Sequence, residues 1–191
     1  MIRSILLLAL ITLPSDGGFL NSKDALQSLF PNASAEVETV YFTKEEQKKS
    51  SDLAGTSVGQ IHRVFHLFAN KPENKNNLQV GYAVVDIHRV RAKKAAWLFG
   101  VSKNQKLIGV RTLGFAEPRE YLPSEKWFGQ FEGKALNDQL KFKKGIDGIT
   151  GATLSSRAAV HAARRALAVQ QVLSERTLTL KPQPEPKLAQ K

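Results

Sequence analysis

Glycines and hydroxyl side chains crowd one stretch of the chain, Gly145-Ile-Asp-Gly-Ile-Thr-Gly-Ala-Thr-Leu-Ser-Ser156. Arg157-Ala-Ala-Val-His-Ala-Ala-Arg-Arg-Ala-Leu167 follows at once, and its alanines and leucine favour a helix. A flexible turn that opens onto a helix start presents backbone N–H groups without intrahelical acceptors, at the positive end of the helix dipole. Thr150, Thr153, Ser155 and Ser156 add hydroxyls to that setting. The chemistry it suits is the holding of an anion. The local pattern alone fits equally a loop whose hydroxyl merely caps the helix.

Other chemistries are poorly served. With no cysteine in 191 residues, disulfides, thiolate catalysis, Cys-ligated iron–sulfur clusters and c-type haem attachment are excluded. His62 and His66 stand four apart in a strand-like run, where that spacing separates them, and no third zinc ligand is evident nearby. Gly129-Gln-Phe-Glu-Gly-Lys134 is one residue short of a phosphate loop and is followed by Ala135 in place of Ser or Thr. Gly145, Gly148 and Gly151 do not form the dinucleotide fingerprint, and no serine sits in a nucleophile elbow. A redox role therefore requires an organic cofactor or a His/carboxylate metal site. The formal charge of +11 favours anionic partners: phosphate, acidic proteins or anionic lipid headgroups. Nucleic acid is not expected, because the basic residues are scattered and no recognition-helix, zinc-finger or RNP signature occurs.

The elements that must position the loop can be read in order. Met1-Ile-Arg3 and the apolar run Ile5–Leu13 have the build of a secretory signal, too short to span a bilayer as a helix. Leu26, Leu29 and Phe30 give a short amphipathic helix stopped at Pro31. Val37–Phe42 reads as a strand, and Thr43-Lys-Glu-Glu46 as a capping box opening a helix towards Leu53. Strand-like runs follow at 60–69, 78–90, 95–102 and 106–115, the last two around the short loop Lys103-Asn-Gln105. Trp127, Phe128 and Phe131 return to helical spacing and end at Gly133. After the loop, the helix from Arg157 is expected to reach about Leu173, ahead of alternate prolines in Lys181-Pro-Gln-Pro-Glu-Pro-Lys187. Strands joined by short polar loops imply an α+β fold with an antiparallel sheet packed against helices.

Asp147-x-x-Thr-Gly-Ala-Thr153-x-Ser155 resembles the flavinylation motif of the FMN-binding domain found in the NqrC and RnfG subunits of ion-pumping respiratory complexes. The resemblance implies that a flavin transferase moves FMN from FAD onto Thr153 as a phosphoester, with Asp147, Thr150, Gly151 and Ala152 as the recognition frame. Lys106-Leu-Ile-Gly-Val-Arg-Thr-Leu-Gly-Phe-Ala-Glu117 is similar to the family's strand leading to a glutamate near the flavin. Trp127-Phe-Gly-Gln-Phe-Glu-Gly-Lys134 is similar to its helix before the modification loop. Together these cover roughly Val80 to Val169. Many family members follow the glutamate with Thr-x-Gly, whereas this chain has Pro118-Arg-Glu-Tyr121.

Gly148 and Gly151 let a bulky ligand approach the backbone, as they would the transferase that the resemblance implies, and Ala152 keeps the approach clear. Leu154, Ser155 and Ser156 adjoin Thr153, the serines as helix caps or phosphate contacts. Arg157, one turn on, is expected to pair with the phosphate. Tyr121, Trp127, Phe128 and Phe131 offer either core or an aromatic wall. The organisation expected is a signal peptide or N-terminal anchor at 1–21, a helical segment at 22–55, an FMN-binding domain at 56–173 and a Pro-rich tail at 174–191. The function implied is that of an extracytoplasmic electron carrier, free or membrane-associated, rather than a stand-alone enzyme. Its partners would be a flavin transferase and redox proteins, at a membrane surface or in a respiratory complex. A non-covalent FMN-binding or flavin-reducing protein, and a basic interaction module, stay open as alternatives.

Overall fold

The computed structural model describes residues 19–69 and 78–180, the last four by backbone alone. The apolar run Ile5–Leu13, the polar loop at 70–77 and the proline-rich stretch from 181 lie outside the described residues.

Five strands follow one another across a single sheet, each antiparallel to the next: β1 (Ala33–Tyr41), β2 (Ile61–Ala69), β3 (Gln79–Arg89), β4 (Lys94–Ser102) and β5 (Leu107–Phe115). The α+β reading with an antiparallel sheet is thus the observed architecture. β4 is buried along nearly its whole length because both sheet faces are covered there. On one face lies α1 (Ser22–Leu29), whose Leu26 and Leu29, with Phe30, join Phe65, Leu67, Leu98 and Leu113. Leu29 and Phe30 can seat against the strands because Gly81, Gly100 and Gly109 place no side chain beneath them.

The other face carries the larger core. There α2 (Lys44–Ala54), α3 (Glu125–Phe128) and the long α4 (Thr153–Leu180) pack on Val64, Val84, Trp97, Phe99 and Val110. The capping box at the start of α2 is present: Glu46 N donates to Thr43 Oγ1 at 3.2 Å, and Thr43 N donates to Glu46 Oε2 at 2.9 Å. The small residues Ala159, Ala162, Ala163 and Ala166 let α4 lie close on the sheet, as their spacing suggests.

Two boundaries differ from the sequence reading. The segment 22–55 is not simply helical, since β1 within it forms the first strand of the sheet. β1 is an edge strand, mostly exposed, and its alternating small and acidic residues give a weak strand signal. Secondly, α4 continues beyond Leu173 to Leu180, into the stretch assigned to the tail. Cross-helix contacts hold that extension: Arg176 donates to both carboxylate oxygens of Glu46 at 2.8 and 2.6 Å, and Lys49 pairs with Glu175. Among the described residues, no helix is long and apolar enough to cross a membrane.

Candidate functional site

The loop before α4 is held by the aromatic segment that precedes it. Ser124 caps α3 by accepting from Trp127 N at 3.2 Å, and α3 passes directly into a 3-10 turn at Gly129–Phe131. Trp127, Phe128 and Phe131 pack on one another with ring centroids 5.2 to 5.7 Å apart. Phe128 and Phe131 are core residues, so the expected aromatic wall is not built from this trio. Its part is to pin the loop. Trp127 Nε1 donates to the carbonyl of Asp147 at 2.9 Å, while Asp147 N donates to Gln130 Oε1 at 2.9 Å.

Within the loop, Gly145 is required by close approach: a Cβ there would lie 2.2 Å from the carbonyl oxygen of Gln139. Gly151 adopts φ +79°, a left-handed conformation that glycine takes without strain, with open space where a side chain would stand. The chain then turns into α4 at Thr153. Ser155 and Ser156 therefore lie inside the first turn and are not its N-cap. Ser156 is fully buried and ties the loop to the helix, accepting from Ile149 N and donating to the carbonyl of Ala152, each at 3.0 Å.

Beside this helix start opens a cleft of about 150 Å3. One wall is Gly151, Ala152, Thr153, Leu154 and Ser155. The opposite wall is Val90 and Arg91 from the turn between β3 and β4, with Glu117 and Tyr121 from the segment after β5. Thr153 and Leu154 are exposed, whereas Ser155 is only 2% exposed. The N–H groups of Thr153, Leu154 and Ser155 fall in the first helical turn, where no intrahelical acceptor exists.

Glu117 explains how the second wall is held. Its Oε1 accepts from three successive backbone amides, Arg91 at 3.2 Å, Ala92 at 2.7 Å and Lys93 at 2.7 Å. The amide of Lys93, followed by those of Ala92 and Arg91, holds its carboxyl below the usual carboxylate range. Glu117 stays anionic and grips the turn. Pro118 precedes a 3-10 turn at Arg119–Tyr121 that brings Tyr121 to the cleft.

Of the residues expected at the site, Gly151, Ala152, Thr153, Leu154, Ser155 and Glu117 come together here. Asp147 and Thr150 lie exposed on the loop outside the cleft lining, and Ser156 is behind it. Arg157 is elsewhere, its guanidinium 5.1 Å from the centroid of the Phe142 ring. The cation in the cleft is Arg91 instead. Val90-Arg-Ala-Lys-Lys94 reads in the sequence only as a turn between strands, and its link to Glu117 spans 24 to 26 residues. Arg164 and Arg165 are also committed elsewhere: Arg164 donates to four backbone carbonyls and Arg165 pairs with Asp86. No group of three or more His, Asp or Glu side chains suited to a metal occurs among the described residues.

The arrangement suits a phosphate attached to a flat, largely apolar ring. N–H groups, Ser155 and Arg91 can serve the anion, and Val90, Tyr121 and Leu154 can line a ring.

Residues 93–168 match the family model described as the FMN-binding domain. That span includes Glu117, the whole loop and the first half of α4. No curated protein matches the chain. Among solved structures, NqrC of Shewanella oneidensis shares the fold with a TM-score of 0.53 at 14% identity, covering 82% of this chain and 88% of that one. Residues 93–168 are thus similar to an FMN-binding domain, the fold is one that NqrC also has, and the cofactor this indicates is FMN.

Proposed function

We propose that Thr153 carries the FMN as a phosphoester and that the chain is an extracytoplasmic electron carrier. The observation that supports this most directly is the position of Thr153. It is an exposed hydroxyl at the first residue of α4, on the edge of the cleft and opposite Arg91. Bound there, FMN would supply one- or two-electron transfer, chemistry that no side chain of the cleft provides.

The chain's own residues do the remaining work. The N–H groups of the first turn of α4, the Ser155 hydroxyl and Arg91 would hold the phosphate charge. Val90, Tyr121 and Leu154 would exclude water from the ring. Glu117 keeps the 91–93 turn in place through its three amide contacts. Thr150, Gly151, Thr153 and Leu154 are all exposed, which leaves the loop open to a flavin transferase that takes FAD as donor. The Ile5–Leu13 pattern supports export, and the charge of +11 supports encounter with an acidic redox protein or complex, or with an anionic membrane surface.

Coexpression with a flavin transferase followed by intact mass measurement tests the linkage. Wild type should gain one FMN unit that survives denaturation in urea, and Thr153→Ala should gain none. Release of all colour by urea would leave FMN binding standing but remove the phosphoester. A reporter fused after the first 21 residues tests export, and retention in the cytoplasm would overturn that part alone.

A further inference from the structure

Three of the four histidines in the chain converge away from the flavin cleft, around the middle of α4. His62 on β2 and Asp86 on β3 share one sheet face, because the register Arg63↔Val85 sets them opposite each other. His88 is two residues further along β3 on that face. They line a groove of about 310 Å3 with Arg165 of α4 and Ser57 of the loop after α2. His161, one turn before Arg165, lies within electrostatic reach of both His88 and Arg165.

Asp86 is the carboxylate of the groove, and both of its oxygens are taken by Nε and Nη2 of Arg165 at 2.7 and 2.8 Å. The Arg165 side chain is only 6% exposed, and its Nη1 has no partner among the described residues. His62 Nε2 lies 2.9 Å from the carbonyl of Gly59, which leaves Nδ1 without a bond. A buried guanidinium edge and two imidazoles thus face one open space, with no carboxylate oxygen left to neutralise a further positive charge.

We propose that this groove is a second binding site, separate from the cleft at Thr153, that takes a compact oxyanion between Arg165, His62 and His88. The shared chemistry is that of a phosphate or carboxylate group. A guanidinium edge accommodates either, and imidazole N–H groups add charge-assisted bonds once protonated. Burial, and for His88 also Arg165, holds these rings below the ordinary histidine range, while Asp86 acts in the opposite direction. His161 is lowered likewise, by burial and then by Arg165, Arg164, His88 and Arg157. An anion offsets that positive surrounding, so binding draws protons from solvent onto the histidines and tightens as pH falls.

The test uses the full chain without flavin, titrated with sodium phosphate and separately with sodium succinate at constant ionic strength, at about pH 6 and about pH 8. Histidine ring and arginine Nε resonances report the site. Saturable shifts are expected at His62, His88 and Arg165, with tighter binding at the lower pH. His66, paired with Glu38 elsewhere, should stay still. His88 is exposed and outside the flavin cleft, so His88→Gln should keep the fold and weaken the anion roughly tenfold, about the worth of one charge-assisted hydrogen bond. Saturation by phosphate alone, or by succinate alone, identifies the source and supports the site. Shifts that never saturate, that spread evenly over the basic residues, or that are unchanged in His88→Gln overturn it. The outcome is independent of whether Thr153 carries FMN.

Discussion

Two acidic side chains, Asp86 on β3 and Glu117 just after β5, are withdrawn from solvent, and they are satisfied in opposite ways. Glu117 receives three backbone amides of one turn, and among the described residues no cationic side chain bonds to it directly. Asp86 receives one guanidinium, from the middle of α4. The first arrangement shapes the wall of the cleft to which Arg91 belongs. The second fastens the helix to the sheet and fixes the Arg165 guanidinium beside the groove.

The difference is broken most strongly at Asp86. Asp86→Ala leaves the Arg165 guanidinium buried without its counter-charge, the side chains of the pair being 6% and 13% exposed. Loss of one partner of such a pair costs about 3–5 kcal/mol. Urea denaturation should show it as a fall in midpoint, with FMN attachment retained in the folded fraction. An unchanged midpoint would mean that the pair does not hold α4 to the sheet.

Glu117 should give a smaller stability change and a larger effect on the cofactor. Glu117→Ala removes the acceptor of three amides, so the 91–93 turn loosens and Arg91 loses its fixed position. Coexpression with a flavin transferase should then yield partial flavinylation and a visible spectrum altered from wild type. Glu117→Gln keeps an oxygen acceptor and should retain more of both. Equal behaviour of the two variants would assign the effect to charge rather than to the turn.

Acid sharpens the same contrast. The folded-state pKa of Glu117 is depressed, so its contribution to stability is complete above its unfolded value of about 4.3 and is lost as pH falls through the lower folded value. Wild type should be more stable than Glu117→Gln at neutral pH, and the gap should close below about pH 4. The measurement is a series of denaturation midpoints from neutral pH into acid. A gap that persists unchanged at the lowest pH would remove titration of Glu117 as its source.

How far the sequence could be read follows from how local each feature is. The strands, the capping box at Thr43 and the loop ending at Thr153 rest on neighbouring residues, and all three stand in the structure. Arg91 was missed because its place at the cleft depends on Glu117, which lies 26 residues away. For Arg157, helical spacing puts it one turn from Thr153 but does not reveal that its guanidinium packs over Phe142. Ser155 and Ser156 read as caps or phosphate contacts because a helix start cannot be fixed to one residue from propensity, and here it falls at Thr153. β1 and the last turns of α4 were under-read since pairing with β2 and with α2, rather than their own composition, holds them.

The smallest expected effect lies between the two carboxylates, at the aromatic segment that pins the loop. Trp127→Phe keeps a ring against Phe128 and Phe131 but loses the hydrogen bond from Nε1 to the carbonyl of Asp147. One neutral hydrogen bond of this kind contributes about 1 kcal/mol net. Asp147 N stays bonded to Gln130, and Ser156 still ties Ile149 to the helix, so the loop keeps its other anchors. The expected result is a modest loss of stability, faster amide hydrogen exchange across residues 147–151, and slower flavinylation that still reaches completion. Slower flavinylation with unchanged exchange would make Trp127 a contact for the transferase. Faster exchange with an unchanged rate would make the loop's rigidity irrelevant to its modification.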